Sequence, residues 1–226
     1  MTMKISLIVP IYNEEKKIDT LLSQLCALPG DWEIILADGD STDGTLQKAG
    51  HDFTLLSCPK GRANQMNFAA NHATGDVLWF VHCDSILPKD AYGQICKAVE
   101  QGAQWGCFHI GFDYDGPFMG CNTYLSNRRA RKGIAFGDQG IFVKRELFLE
   151  LGGFPSLPIM EDYEFSRRMR DKGIPITRLP GRIITSGRRY RGKFPLITMW
   201  QMYHLRCLYR RGVDIDEIAR RYKDIR

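Results

Sequence analysis

The chain has 226 residues, 44% of them hydrophobic, 25% charged and 11% aromatic, with a formal net charge of +5. That length suits one α/β domain that buries roughly 70% of its unfolded surface without disulfides. The composition excludes disordered, collagen-like and low-complexity chains, and no stretch of about 20 residues is apolar enough to span a bilayer.

MTMKISLIVP carries a short apolar run and no cleavage-site pattern, so it reads as a first strand rather than a signal peptide. Residues 5–12 (ISLIVPIY) are apolar and β-branched, as in a buried parallel strand. A helix is expected over 14–27, where Ile18, Leu21, Leu22 and Leu25 fall at helical spacing and Pro29-Gly30 provides the stop. A strand at 33–37 leads into a turn-rich loop, Asp38 to Gly44, and strand-like runs recur at 53–57 and 76–82 around a helical stretch at 62–73. This β-α-β-α-β-α-β alternation predicts an α/β fold, a mostly parallel sheet flanked by helices on both faces.

Beyond residue 100 the rhythm changes. Shorter strands are expected at Trp105–Phe112, Gly140–Val143 and Ile174–Arg178, and helices near 118–132, 145–151 and 160–172. Residues 194–226 read as two helices, the second with Ile215, Ile218, Ala219 and Tyr222 on one face. No linker, repeat or biased tract interrupts the chain, so residues 1–226 are expected to form a single domain.

Seven cysteines (positions 26, 58, 83, 96, 107, 121 and 207) are scattered singly with no CxxC pair, the usage of a reduced cytoplasmic protein. Charge is uneven: residues 182–226 hold 12 Lys and Arg against 4 acids, and the rest holds 19 against 22. A basic end beside a mildly acidic body points to a local anionic partner rather than to nucleic acid. A solvated basic helix pair explains it equally well.

In open parallel sheets the ligand sits beyond the carboxyl ends of the strands. Three polar clusters fall there: Pro10-Ile11-Tyr12-Asn13-Glu14, then Asp38 with its loop, then His82-Cys83-Asp84-Ser85. Acids converging on one crevice call for a cation or a ligand's hydrogen-bond donors. Helix capping is the plainer alternative, by Thr42 or Asp43 for the second helix and by Asp84 or Ser85 for one beginning at Pro88. The chain lacks GxGxxG after the first strand and also lacks GxxxxGK[ST], HExxH and GxSxG. A literal acid-x-acid at Asp113-Tyr114-Asp115 precedes Gly116-Pro117 and reads as a turn.

SLIVPIYNE, LADGDSTDGT and GRANQMNFAANHATGDVLWFVHCD, followed by GDQGIFVKRELFLELGGFP and MEDYEFSRRMRDKG, occur in an order that resembles family 2 glycosyltransferases. The closing SGRRYRGKF resembles a bacterial subfamily described as radical-SAM/selenodomain-associated transferases. The resemblance covers nearly the whole chain. It implies the GT-A fold, with a nucleotide-binding half (1–100), an acceptor and catalytic half (101–193) and C-terminal helices (194–226).

By the same resemblance, the donor nucleotide is held by Pro10, Tyr12, Asn13, Glu14 and Asp38, with Gly61, Arg62 and Asn64 approaching base or phosphates. A carboxylate such as Asp38 accepts hydrogen bonds from a base imide or ribose hydroxyl, which fits a UDP-sugar. The family's Asp-x-Asp metal motif is here His82-Cys83-Asp84, so Asp84 alone matches as the ligand of Mn²⁺ or Mg²⁺ bridging the diphosphate, with His82 positioning a phosphate or sugar hydroxyl. The general base of an inverting displacement falls at Asp162. Asp138, Gln139 and Glu161 lie on the sugar and acceptor side, and Arg188 or Arg189 closes over the diphosphate. Favourable electrostatics at a helix N-terminus is the alternative for Glu161 and Asp162.

The implied protein is a cytoplasmic glycosyltransferase that binds a nucleotide sugar and an unknown acceptor but no nucleic acid. Its basic C-terminal helices could touch a membrane surface or a second subunit, or simply dock on the core. Two rivals remain: a sugar-1-phosphate nucleotidyltransferase, which normally has a Gly-rich loop after the first strand, and a non-catalytic nucleotide-sugar sensor or peripheral membrane scaffold.

Overall fold

The computed structural model describes residues 3–50, 52–116, 118–190 and 195–225, without the side chains of Arg189 and residues 223–225. Seven strands form one sheet in the order β3-β2-β1-β4-β6-β5-β7. Its first part comprises β1 (Ile5–Ile11), β2 (Trp32–Asp38), β3 (Thr54–Ser57) and β4 (Val77–Phe80), all parallel. β5 (Trp105–Phe112) and β7 (Thr177–Thr185) pair in parallel, and β6 (Phe142–Lys144) runs antiparallel to both β4 and β5.

Alternation along β1 explains the layers. Ile5, Leu7, Val9 and Ile11 face α1 (Ile18–Cys26) and α4 (Ala91–Glu100), and Ile8 faces α3 (Arg62–His72) and the aromatic cluster of Phe80, Phe148, Phe154 and Phe165. Both faces are covered, which is why the strand reads as continuously apolar. The remaining helices are α2 (Thr45–Ala49), α5 (Met119–Arg131), α6 (Arg145–Glu150), α7 (Glu161–Asp171), α8 (Pro195–Arg210) and α9 (Ile215–Ile225).

Three expectations shift. The first helix begins at Ile18 rather than at 14, because the carbonyl of Glu14 is taken by a tight turn from the amides of Lys17 and Ile18. The last strand extends to Thr185 instead of ending at Arg178: its register with β5 slips between Phe108 and His109, so Pro180 and Gly181 form a bulge that hides the strand pattern. The C-terminal helices do dock. Leu205 of α8 and Ile218 of α9 are buried against Ile159, Met160 and Tyr163, although the expected start of the first of them at 194 lies outside the described residues.

Candidate active site

The sheet order reverses between β1 and β4, and the crevice at such a switch point is where an open α/β sheet takes its ligand. β1 pairs with β4 only through Ile8–Phe80, and Pro10, which has no N–H to offer, falls just past that last pair. Tyr12 projects at the rim with the Lys60 ammonium 3.9 Å over its ring. Asn13 takes a left-handed backbone (φ 51°), and its Oδ1 accepts a 2.8 Å bond from the Thr42 amide. The Ser41 and Thr45 hydroxyls accept from the amides of Asn13 and Glu14 at 3.0 and 2.8 Å. The β1 and β2 loops are therefore stitched into one wall.

Asp38 is the buried carboxylate in that wall. Its Oδ2 accepts from the Asp40 and Ser41 amides, both at 3.0 Å, but its Oδ1 has no partner. The N-cap of α2 is Gly44 rather than Thr42 or Asp43, although Asp43 Oδ1 accepts from the Thr45 amide at 3.0 Å. Gly61 and Asn64 line a small cavity of about 250 Å³ with Ser156–Pro158, and the Asn64 amide bonds locally to the Lys60 carbonyl at 3.2 Å.

At the end of β4, Asp84 sits 3.5 Å from the ammonium of Lys17. No group of three or more His, Cys, Asp or Glu side chains that would hold a metal occurs among the described residues. Among the described residues the end of β4 presents one carboxylate, Asp84, already paired with Lys17. His82 differs in character. Burial, then nearby Arg62, push its imidazole pKa down, and its Nε2 is buried without a partner.

Met160 in a left-handed turn (φ 69°) throws the next two residues onto the N-terminus of α7. There Glu161 is buried and ion-paired with Arg62, while Asp162 is half-buried. The Asp162 oxygens accept from the Gly137 amide (2.7 Å) and the Tyr163 amide (2.6 Å). Burial, then the charge of Glu161, raise the Asp162 carboxyl to a pKa of about 6, overriding Arg62. A Cβ on Gly137 would lie 2.8 Å from His82 Nε2 and 3.5 Å from Asp162 Oδ2, so both groups flank this glycine. Next to it, Asp138 keeps a buried Oδ1 without a partner.

The other expected residues fall elsewhere. Gln139 is fully buried, accepting from Arg129 at 3.2 Å and the Phe136 amide at 3.3 Å, so it supports the wall from behind. Glu161 and Arg62 bind each other instead of an open ligand space. Arg188 is exposed and joins no cleft residue by hydrogen bond or ion pair among the described residues; the Arg189 side chain and residues 191–194 of SGRRYRGKF lie outside those described. Asp113 accepts from the Gly187 amide, which ties the exit of β5 to that loop.

Four residues of this edge escaped the sequence reading. Lys17 precedes the apolar face of the first helix and belongs to no motif. Gln65, on α3, donates at 2.8 Å to the carbonyls of both Ile11 and Ala37 and clamps the ends of β1 and β2. Its signal was one amide among Ala63, Met66, Ala69 and Ala70 on a buried face. Arg129 and Arg206 had no motif at all.

A seven-stranded, mostly parallel sheet with this reversal and these polar strand ends is the GT-A glycosyltransferase architecture. The profile of Glycosyl transferase family 2 matches residues 6–146, and the chain belongs to that family of glycosyltransferases. An uncharacterized glycosyltransferase of Haemophilus influenzae is 24% identical over 176 residues, covering 71% of this chain. The match spans 60% of that relative's length. Among solved structures, a Pyrobaculum calidifontis mannosyltransferase in complex with GDP-Man and Mn²⁺ superposes over 100% of this chain and 70% of its own, with TM-score 0.66 and 19% identity. Staphylococcus aureus TarS 1-349 in complex with UDP-GlcNAc covers 81% of this chain and 58% of its own, with TM-score 0.64 and 22% identity. Family membership favours the transferase over the nucleotidyltransferase. No helix of the described residues is long and apolar enough to cross a membrane.

Proposed function

We propose that the chain is an inverting glycosyltransferase that moves a sugar from a nucleotide diphosphate, read as UDP, to an acceptor O–H, working as one unit over residues 1–226. One observation carries this reading: Asp38 Oδ1, His82 Nε2 and Asp138 Oδ1 are buried without partners along the edge where β2 and β4 end, and His82 flanks Gly137 together with Asp162. Unsatisfied buried polar atoms are costly, and several at one edge describe an absent polar ligand. Asp38 Oδ1 accepts the imide N–H of the base. Neutral His82 serves a phosphate or sugar hydroxyl, and Asp138 a sugar hydroxyl. Asp162, with a pKa near 6, is ionised at neutral pH yet basic enough to take the acceptor proton as the nucleotide leaves.

Asp84 would hold Mn²⁺ or Mg²⁺ together with the donor's diphosphate, and such an ion supplies positive charge to the leaving group. Lys17 already brings one positive charge to the same place. The radical-SAM/selenodomain subfamily remains the proposed placement within the family. Peripheral membrane contact is supported by exposed Ile197, Trp200 and Tyr203 on α8, and a cytoplasmic location by the singly scattered cysteines. Calorimetric titration with UDP, GDP, dTDP and ADP, each with Mn²⁺, Mg²⁺ or EDTA, tests the reading. Selective UDP binding strengthened by metal supports it; a folded protein that binds none of the four overturns it.

A further inference from the structure

Next to the donor cleft, a groove of about 780 Å³ runs between α5 and α8. Asp138 and Tyr163 form part of its wall, and Tyr163 directly follows Asp162, so the groove opens onto the catalytic side of the site. Its floor and lips are apolar: Phe136 and Ile134 within, Leu125, Trp200 and Tyr203 at the rim, the last three 45%, 62% and 53% exposed. A soluble surface rarely leaves such side chains together unless something covers them.

The charge lining the groove is one-sided. Arg128, Arg129, Lys132, Arg170, Arg206 and Arg210 face it against a single carboxylate, Asp138. Of the six, Arg170 alone has a carboxylate ion pair among the described residues, with its neighbour Asp171 at 3.3 Å. Arg129 lies 3.6 Å over the Phe136 ring with its Nε buried and without a partner, and Arg206 approaches the same ring at 5.6 Å. Burial holds both guanidiniums below their ordinary value, Arg129 down to about 10. Asp138 and Asp162 lie near enough to act on the charge of Arg129, but neither Arg129 nor Arg206 is ion-paired with a carboxylate among the described residues. Two converging arginines in that state form a receptor for an oxyanion, which guanidinium geometry matches in bidentate fashion.

We propose that the acceptor is an anionic amphiphile: a lipid phosphate whose head sits against Arg129 and Arg206 and whose single apolar chain lies along Leu125, Trp200 and Tyr203. This rests on the transferase reading above and names the substrate class of its open side. An O–H beside the phosphate gives its proton to Asp162. Its oxygen bonds to the anomeric carbon, and the bond from that carbon to the donor's β-phosphate oxygen breaks. The electron pair of that bond leaves with the nucleoside diphosphate.

Three probes separate the sources of this chemistry: 1-oleoyl lysophosphatidate (phosphate, hydroxyl and chain), monoolein (hydroxyls and chain) and glycerol 3-phosphate (head alone). Binding is read by calorimetry and tryptophan emission, below micelle-forming concentrations, with the full chain and with UDP affinity measured alongside. The lysophosphatidate is expected to bind at least about tenfold more tightly than either partial probe. Arg129→Gln and Arg206→Gln are expected to weaken it by about tenfold or more while UDP affinity holds. Trp200→Ala, at an exposed position that should not disturb folding, is expected to weaken both chain-bearing probes and leave glycerol 3-phosphate unchanged. Equal binding of glycerol 3-phosphate reduces the groove to a free-phosphate site, and equal binding of monoolein reduces it to an apolar patch; either result, or indifference to the arginine variants, overturns the proposal. Loss of UDP binding by the unmodified protein would instead sink the transferase reading.

Discussion

The two ends of β2 carry carboxylates five residues apart with opposite fates. Glu33, at the N-terminal end, accepts from the Ser6 hydroxyl, from the Thr74 amide at 2.8 Å and hydroxyl at 2.6 Å, and from the Gly75 amide at 3.3 Å, with Lys4 at 3.6 Å. Burial acts to raise its pKa, but the Ser6 and Thr74 bonds win and hold it at about 2. Asp38, at the other end, has one oxygen bound by two amides and the other by nothing. Chemistry and strand are the same, so what separates structure from function here is saturation. A fully satisfied carboxylate belongs to the fold; one left half open at a strand's carboxyl end waits for a ligand.

The largest expected effect falls on the acid that does chemistry. Asp162→Asn should lower kcat by roughly 10²- to 10⁴-fold, the usual worth of a positioned general base, with UDP affinity unchanged. Because folding raises the Asp162 pKa from 3.8 to about 6, the fold disfavours its ionised form. The variant should therefore melt at or above the parent temperature at pH 7. For the parent, kcat/KM should climb as pH rises through about 6 and stay level beyond. A parallel fall in kcat and UDP affinity would remove Asp162 from the base role. Next in size, Asp38→Asn keeps an oxygen for the two loop amides but turns an N–H toward the base. UDP affinity should fall about 10- to 100-fold, with little change in Tm. Equal UDP binding by variant and parent would erase the distinction between the two ends of β2.

How much of this was legible in sequence follows from the kind of interaction. The first four strands were readable because buried parallel strands are continuous apolar runs, and the polar residues at their ends stood out against them. Asp38 was visible for that reason, whereas Asp162, in the first turn of α7, was visible only through the resemblance to a known family. Lys17 was not, since its partner Asp84 is 67 positions away and a lysine on an amphipathic helix looks like solvent-facing charge. Gln139 misled in the opposite direction. It follows Asp138 in a motif, yet a 3₁₀ turn at Gly137–Gln139 sends neighbouring side chains to opposite sides, one to the groove and one to the core. The groove arginines come from α5, α7 and α8, and side chains on separate helices leave no local pattern.

At the other end of β2, Glu33→Gln should cost stability and nothing else. A folded pKa of about 2 against 4.5 unfolded means that the carboxylate's contribution is fully present above pH 4.5 and fades as pH falls toward 2. The expected loss at pH 7 is about 1–3 kcal/mol, measured by urea unfolding, shrinking to nothing near pH 2, while UDP affinity stays at the parent value. A drop in UDP binding would mean that the two ends of the strand are coupled rather than independent.

The smallest effect concerns Lys17 and Asp84, an ion pair at 3.5 Å whose side chains are 34% and 22% exposed. A pair this open is worth about 0.2–1 kcal/mol, so Lys17→Gln should barely change Tm. It frees Asp84 and removes a positive charge beside the diphosphate, and the two consequences have opposite signs. Mn²⁺ should bind the variant up to about fivefold more tightly, while UDP in EDTA binds it up to about fivefold more weakly. Calorimetry of Mn²⁺ alone, UDP alone and the two together separates these terms. If both affinities move the same way, Lys17 does not compete with a cation for Asp84, and its ammonium only packs against the strand end. If they diverge, this edge differs from Asp38 in one respect: it is also left open for a ligand, but a counter-charge from the chain itself holds it until the ligand arrives.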